Sequence, residues 1–251
     1  MRVIVCDNKA SLAESAADMG ISEIKEAINT RGKAVIVLST GLSQVDMLAR
    51  LVKADIPWGN VEVFHIAEYV GLPADAPSSF HHYLVEHFTK QVPDLGAFHF
   101  IDGNAPDMGA ELKRLDTLIM DKTVDVAFIG VGENGHIGFN DPPMAKIRTD
   151  EPFIEVTLPE RCRKQQAGEG WFPTFEEVPQ KAITMSVRQV LKAKHIIATV
   201  PDLRKARAVA MCLFDEVSPF APCAMLRWHD GCDLFVDRPS ATLVFGDRRP
   251  E

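Results

Sequence analysis

The sequence predicts an α/β fold: a single doubly wound, mostly parallel sheet with helices on both faces. Three observations carry this. Short, continuously apolar, β-branched runs recur along the chain. Segments of helical pattern, roughly 10–15 residues long, separate them, which is the signature of parallel strands buried on both sides. The unusual polar stretches fall directly after strands, at the carboxyl ends where doubly wound sheets hold their ligands.

Taken in order, VIVCD is the first β-branched run, and a helical pattern follows over residues 12–29. KAVIVLST is the next strand, with a helix over 44–52 beyond its Ser-Thr-Gly turn. VEVFHI, a helix over 79–88, AFHFID and a helix over 106–121 continue the alternation. VDVAFIG, FIEVTL and AITMSV then read as strands, followed by a short helix, HIIATV, a helix over 203–212 and CDLFVD. No internal repeat, low-complexity segment or Gly/Ser/Pro linker divides the chain, so residues 1–251 read as one domain.

Composition narrows the function. The chain is 46% hydrophobic and 25% charged, ordinary for a soluble globular protein. Its apolar runs are strand-length, short of the ~20 residues of a membrane helix. The stretch MRVIVCDNKA is strand-like and carries Asp7, so it does not read as a signal peptide. A net charge of −8 argues against general nucleic-acid binding and leaves small-molecule chemistry open. Five scattered cysteines, odd in number and never spaced CxxC, read as reduced structural thiols of a cytoplasmic protein. No zinc motif is present.

Five polar turns follow strands: STGLSQ, AEYVGLP, DGNAPD, VGENGHIGFNDPP and PDLRKA. They belong to one edge of the sheet, where a shared site is expected. In the first, Ser39, Thr40, Gly41, Leu42 and Ser43 join a strand to a helix. Gly41 permits close backbone approach, and the hydroxyls and free helix N–H groups suit an anion. On this stretch alone an ordinary helix N-cap is the default reading. Arg204 and Lys205 open another helix, where cations oppose the dipole; a bound anion or plain surface exposure accounts for them. His136 lies in a glycine-rich turn opened by Gly130 and Gly132. A His can shuttle protons between oxygens, and Asp141 is placed to fix its tautomer; a structural His in a tight turn is the alternative. His81, His82 and His87 match no metal spacing and read as packing or surface groups. Met108, Met120, Met185 and Met211 read as core filler.

GVGENGHIGFNDP, residues 130–142, resembles the signature loop of the glucosamine-6-phosphate deaminase family, whose superfamily includes 6-phosphogluconolactonases. STG, EYVGLP and DGNAPD agree in the same order, and QAGEGWF, PDLRKA and PCAML sit where the family has corresponding elements. The resemblance implies an open, Rossmann-like parallel sheet with no nucleotide cofactor. It implies ring opening of an amino sugar phosphate by the loop histidine, then aldose–ketose isomerisation by a carboxylate and loss of ammonia. Carried over, His136 is the ring-opening acid/base, Asp141 stands for the family's orienting glutamate, and Thr40, Gly41, Ser43 and Lys205 hold the phosphate. Ser39, Leu42, Gly130, Gly132, Glu169 and Arg204 complete the candidate binding set.

The departures are specific. The proton-abstracting Asp precedes the Glu of EYVGLP in the family, and here that position is Ala67. Asn134 stands where the loop has Asp, and Gly170 where typical deaminases have a phosphate-binding arginine. Leu42 and Gln44 replace a glycine and a proline. Glu68 is the nearest stand-in for the lost base, although adjacent strand residues point opposite ways; Glu169 is the second. Two alternatives stay open: a lactone hydrolase, which needs no carbon-bound proton removed, and a non-catalytic sugar-phosphate sensor. Family members range from monomers to hexamers, so a homo-oligomer is among the outcomes.

Overall fold

The computed structural model describes residues 1–246. A seven-stranded, all-parallel sheet forms its centre, in the order β1-β10-β9-β6-β2-β3-β5. The strands are β1 (Arg2–Cys6), β2 (Ala34–Leu38), β3 (Val61–His65), β5 (Ala97–His99), β6 (Val126–Gly130), β9 (His195–Val200) and β10 (Cys232–Asp237). Every residue of β2 is buried, as apolar runs covered on both sides must be. One face carries α1 (Lys9–Arg31), α2 (Val45–Leu51) and most of α3 (Phe80–His87). The other carries α4 (Met108–Met120), α7 (Ala206–Phe214) and α8 (Arg238–Phe245).

The sequence reading erred in two places. FIEVTL and AITMSV do not join the parallel sheet: β7 (Phe153–Thr157) and β8 (Lys181–Met185) pair antiparallel with each other. β4 (Ala67–Tyr69), expected as loop, pairs antiparallel with β8. Short apolar runs specify extended backbone but not the direction of their partner, which only tertiary pairing settles. Ile66 is the crossing point. Its N–H donates to Leu38 O (3.0 Å) in the large sheet, and its carbonyl accepts from Met185 N–H (2.7 Å) in the small one. Thus Ala67 is delivered to the carboxyl edge of the main sheet.

Two helices were unforeseen. α5 (Glu160–Gly168) buries only Cys162 and Gln166, so no apolar stripe announces it. α8 follows an Asp237–Ser240 capping box and a proline in its first turn, a signal readable in DRPS. α6 (Val187–Val190) is the short helix expected after AITMSV. Met185 is buried, but Met120 is 69% exposed rather than core. No helix among the described residues is long and apolar enough to cross a membrane.

Candidate active site

A cavity of about 360 Å³ opens at the carboxyl edge of the parallel sheet. Four of the five polar turns reach it. The turn after β2 contributes Ser39, Thr40, Gly41, Leu42 and Ser43, and the crossing after β3 contributes Ile66 and Ala67. Gly130, Gly132 and His136 come from the loop after β6, and Asp202, Arg204 and Lys205 from the turn after β9. DGNAPD does not line the cavity. A side chain at Gly103 would collide with Tyr69 O at 2.0 Å, and Gly71 N–H donates to Gly103 O (2.7 Å), so this turn buttresses β4 from behind.

The turn after β2 is not a side-chain cap. The residue preceding α2 is Gln44, and no side chain caps the helix. Gly41 has φ +105°, open to glycine at no steric cost. Gln44, fully buried, donates to Thr199 Oγ1 (2.7 Å) on β9 and to Ser43 Oγ (3.2 Å). Tyr83 of α3 donates to Gly41 O (3.2 Å). The hydroxyls of Ser39 and Thr40 donate to no protein group among the described residues, which leaves them for a ligand. A Cβ at Gly130 would lie 2.9 Å from Ser43 Oγ, so glycine lets the two turns meet.

The histidine is held by an amide and a carboxylate in series. Its Nδ1 lies 2.7 Å from Asn134 Oδ1, which also accepts the His136 backbone N–H (3.1 Å). Asn134 Nδ2 in turn donates to Asp141 Oδ1 (2.9 Å). The amide can face two donors and a carboxylate only with its oxygen towards the ring, so Nδ1 carries the proton. In the neutral imidazole Nε2 is therefore the nitrogen with the free lone pair, and it has no partner among the described residues. Asp141 Oδ1 is 3.5 Å from Nδ1. Burial pushes the Asp141 carboxyl up, but His136, Asn134 and Cys162 outweigh it and hold the group below the usual carboxylate range. A Cβ at Gly132 would overlap the imidazole at 2.1 Å, so the ring lies flat on that glycine. Asn134 and Asp141 stand behind the histidine rather than in the cavity wall.

Ala67 lines the cavity, and its side chain is only a methyl group. Glu68 does not stand in for it. It lies on the other face of β4, and its carboxylate is filled by donors from the start of α3: Ser79 Oγ (2.9 Å), Phe80 N–H (3.2 Å) and His81 N–H (2.7 Å), with Tyr69 N–H at 2.8 Å. It fastens α3 to β4. Glu169 does line the cavity, held by Gln165 Nε2 (2.8 Å) and Trp171 Nε1 (3.2 Å). Gly170, exposed, lines nothing.

The cations differ. Arg204 is exposed and turned towards Asp202 (3.5 Å) and Glu133 (3.8 Å). Lys205 makes no ion pair among the described residues, and burial pushes its ammonium down from 10.5 against the pull of Glu169 and Glu133. Asp202 reaches φ +86°, a strained conformation for a residue with a side chain. Its N–H is pinned by both Asp237 oxygens at 3.1 Å.

Several lining residues escaped the sequence reading: Lys9, Phe80, Gln165, Gln166 and Trp171. Lys9 is the first residue of α1 and pairs with Asp46 (2.9 Å). A cation opposing a helix dipole was the available signal there; the others are joined to the cavity only by tertiary folding. His81 stacks on Phe100 at 3.8 Å, and no group of His, Cys, Asp or Glu among the described residues is arranged to hold a metal.

Fold and site together define a doubly wound α/β protein whose strand-end cavity combines an imidazole with a free nitrogen, a hydroxyl-bearing glycine turn and a half-buried lysine. The chain belongs to the glucosamine-6-phosphate isomerases/6-phosphogluconolactonase family, which it matches over residues 7–235. Glucosamine-6-phosphate deaminase 1 of Bacillus subtilis (strain 168) is 33% identical over 250 residues, covering 97% of this chain and 99% of the relative. A solved monomeric glucosamine-6-phosphate deaminase superposes with a TM-score of 0.87 at 30% identity, covering 97% of this chain and all 100% of that one. A 6-phosphogluconolactonase from Shewanella baltica shares the fold, with a TM-score of 0.77 at 19% identity over 94% of this chain and 97% of that one.

Proposed function

We propose that this chain is a sugar-phosphate enzyme of the glucosamine-6-phosphate deaminase type, acting on an amino sugar phosphate, with its ring-opening apparatus intact and its C2 proton transfer impaired. The observation that carries the reading is the orientation of His136: its basic nitrogen faces the same cavity as the Thr40–Gly41–Ser43 turn and Lys205. In this reading the phosphate lies against that turn and the Lys205 ammonium, an arrangement of charge-assisted bonds. His136 Nε2 takes the proton from the C1 hydroxyl and returns one to the ring oxygen as the C1–O5 bond breaks, giving the open aldehyde. Asp141, acting through Asn134, stabilises the imidazolium formed between those two transfers. Moving the proton from C2 to C1 needs a base, and a methyl group at position 67 accepts none. Two carboxylates line the cavity, Glu169 and Asp202; Asp202 is paired with Arg204, which leaves Glu169 for that task. We further read residues 1–251 as one domain of a cytoplasmic enzyme whose five buried, unbridged cysteines stay reduced; 247–251 lie outside the described residues.

The anion subsite makes a pH-dependent claim. Lys205 binds an anion only while protonated, and burial lowers the pH at which it loses that proton. Inorganic phosphate, titrated calorimetrically at pH values well above its own second ionisation, where it stays dianionic, is expected to bind more weakly as pH rises, starting below the ordinary lysine range. Lys205→Met is expected to weaken binding about 10- to 100-fold and to flatten the profile. A flat wild-type profile, or an unaffected variant, contradicts the assignment.

One observation favours a second reading. Hydrolysis of a sugar lactone needs a base for water and no proton from carbon, so Ala67 is no obstacle to it. Acid release from 6-phosphogluconolactone separates the two.

A further inference from the structure

Gln166 is buried on the inner face of α5 together with Cys162, one turn away. Cys162 faces Asp141: burial first, and then the Asp141 charge, push its thiol up. The helix therefore runs beside the support of His136, and Gln166 lines the cavity. Its oxygen is occupied, because Tyr69 Oη donates to Gln166 Oε1 at 2.8 Å. Its amide nitrogen has no partner among the described residues. Tyr69 is fully buried and wedged between Phe80 (4.9 Å) and Phe139 (5.1 Å), so the hydroxyl that fixes the amide is itself fixed.

Strand geometry adds the position. Ala67 and Tyr69 are two residues apart on β4 and share a face, while Glu68 points the other way. Tyr69 and Gln166 thus bring an N–H donor to the side of the cavity where Ala67 presents only a methyl group. A donor there meets oxygen, not a proton to be removed.

We propose that Gln166 is a substrate-contacting residue whose amide N–H donates to the oxygen on C1 of the opened sugar, with Tyr69 as the positioning residue that holds the amide in that sense. This rests on the cavity being a sugar-phosphate site. The C1 oxygen becomes a carbonyl when the ring opens, and it carries the developing negative charge when C2 loses its proton. A fixed, water-poor N–H donor stabilises both states.

The test uses two unreactive open-chain probes, 2-amino-2-deoxyglucitol 6-phosphate and its 1-deoxy counterpart, which lacks the C1 oxygen, with inorganic phosphate as control. Calorimetry on the full chain is expected to show the wild type favouring the first probe about 3- to 10-fold, the effect of one neutral hydrogen bond. Gln166→Leu and Gln166→Glu, neither of which offers the donor, are expected to bring that ratio near one, and the uncharged Gln166→Leu to leave phosphate binding unchanged. Tyr69→Phe is expected to lower the same ratio part of the way, whereas general structural damage weakens both probes equally. A ratio that survives Gln166→Leu or Gln166→Glu overturns the inference and leaves the sugar-phosphate reading standing. Failure of the wild type to bind either probe or phosphate overturns that reading, and the inference falls with it.

Discussion

Ala67→Asp is expected to raise ammonia release from glucosamine 6-phosphate by about 10²- to 10⁴-fold, the usual contribution of a positioned general base. Position 67 is 1% exposed and lines the cavity. Burial there raises the pKa of an introduced carboxyl and makes it a stronger base near neutral pH. The neighbouring carboxylate on β4 does not compete for the role. Glu68 is turned away and saturated by donors from Ser79, Phe80 and His81. Glu68→Gln is therefore expected to loosen α3 and lower stability rather than to remove catalysis. Ammonia release, followed by a coupled assay, is the measurement; an inert Ala67→Asp protein that still folds and binds phosphate removes the support for deamination.

In that same background, His136→Ala is expected to lower turnover by about 10²- to 10⁴-fold. The imidazole is the group in the cavity whose tautomer is fixed, by Asn134 Oδ1 at 2.7 Å, with its other nitrogen free. Removing it leaves Lys205 and the Ser39–Thr40–Gly41 turn untouched, so phosphate affinity should hold while kcat collapses. A fall in phosphate affinity with kcat preserved points instead to a structural histidine.

The seven parallel strands were legible because each is a short apolar run with a helix before the next, and the inner ones are buried on both faces while the edge strands β1 and β5 are only half-buried. The small antiparallel sheet was not, since nothing within FIEVT, AITM or AEY records which neighbour it meets or in which direction. The same divide runs through the site. Thr40, Ser43, His136 and Lys205 follow strands directly, so the strand-end rule brings them to one edge. Gln166 comes from the last turn of α5, a helix too polar to be seen, Trp171 from the segment just beyond it, and Phe80 from the α3 start that Glu68 ties down. Ala67 and Glu68 were correctly opposed by strand alternation alone. DGNAPD was misassigned because a turn at the right edge can still face backwards, as Gly103 does against Tyr69.

The central claim is that His136 moves protons on a sugar phosphate held at this strand-end cavity, independently of the missing base. Exchange between the anomers of glucosamine 6-phosphate, labelled with ¹³C at C1 and followed by magnetisation-transfer NMR, tests it most directly, because ring opening needs no proton from C2. The wild-type chain is expected to accelerate the exchange well above the buffer rate, and His136→Ala to return it to that rate with the ligand still bound. Wild-type protein that binds the sugar phosphate yet leaves anomer exchange at the buffer rate contradicts the account.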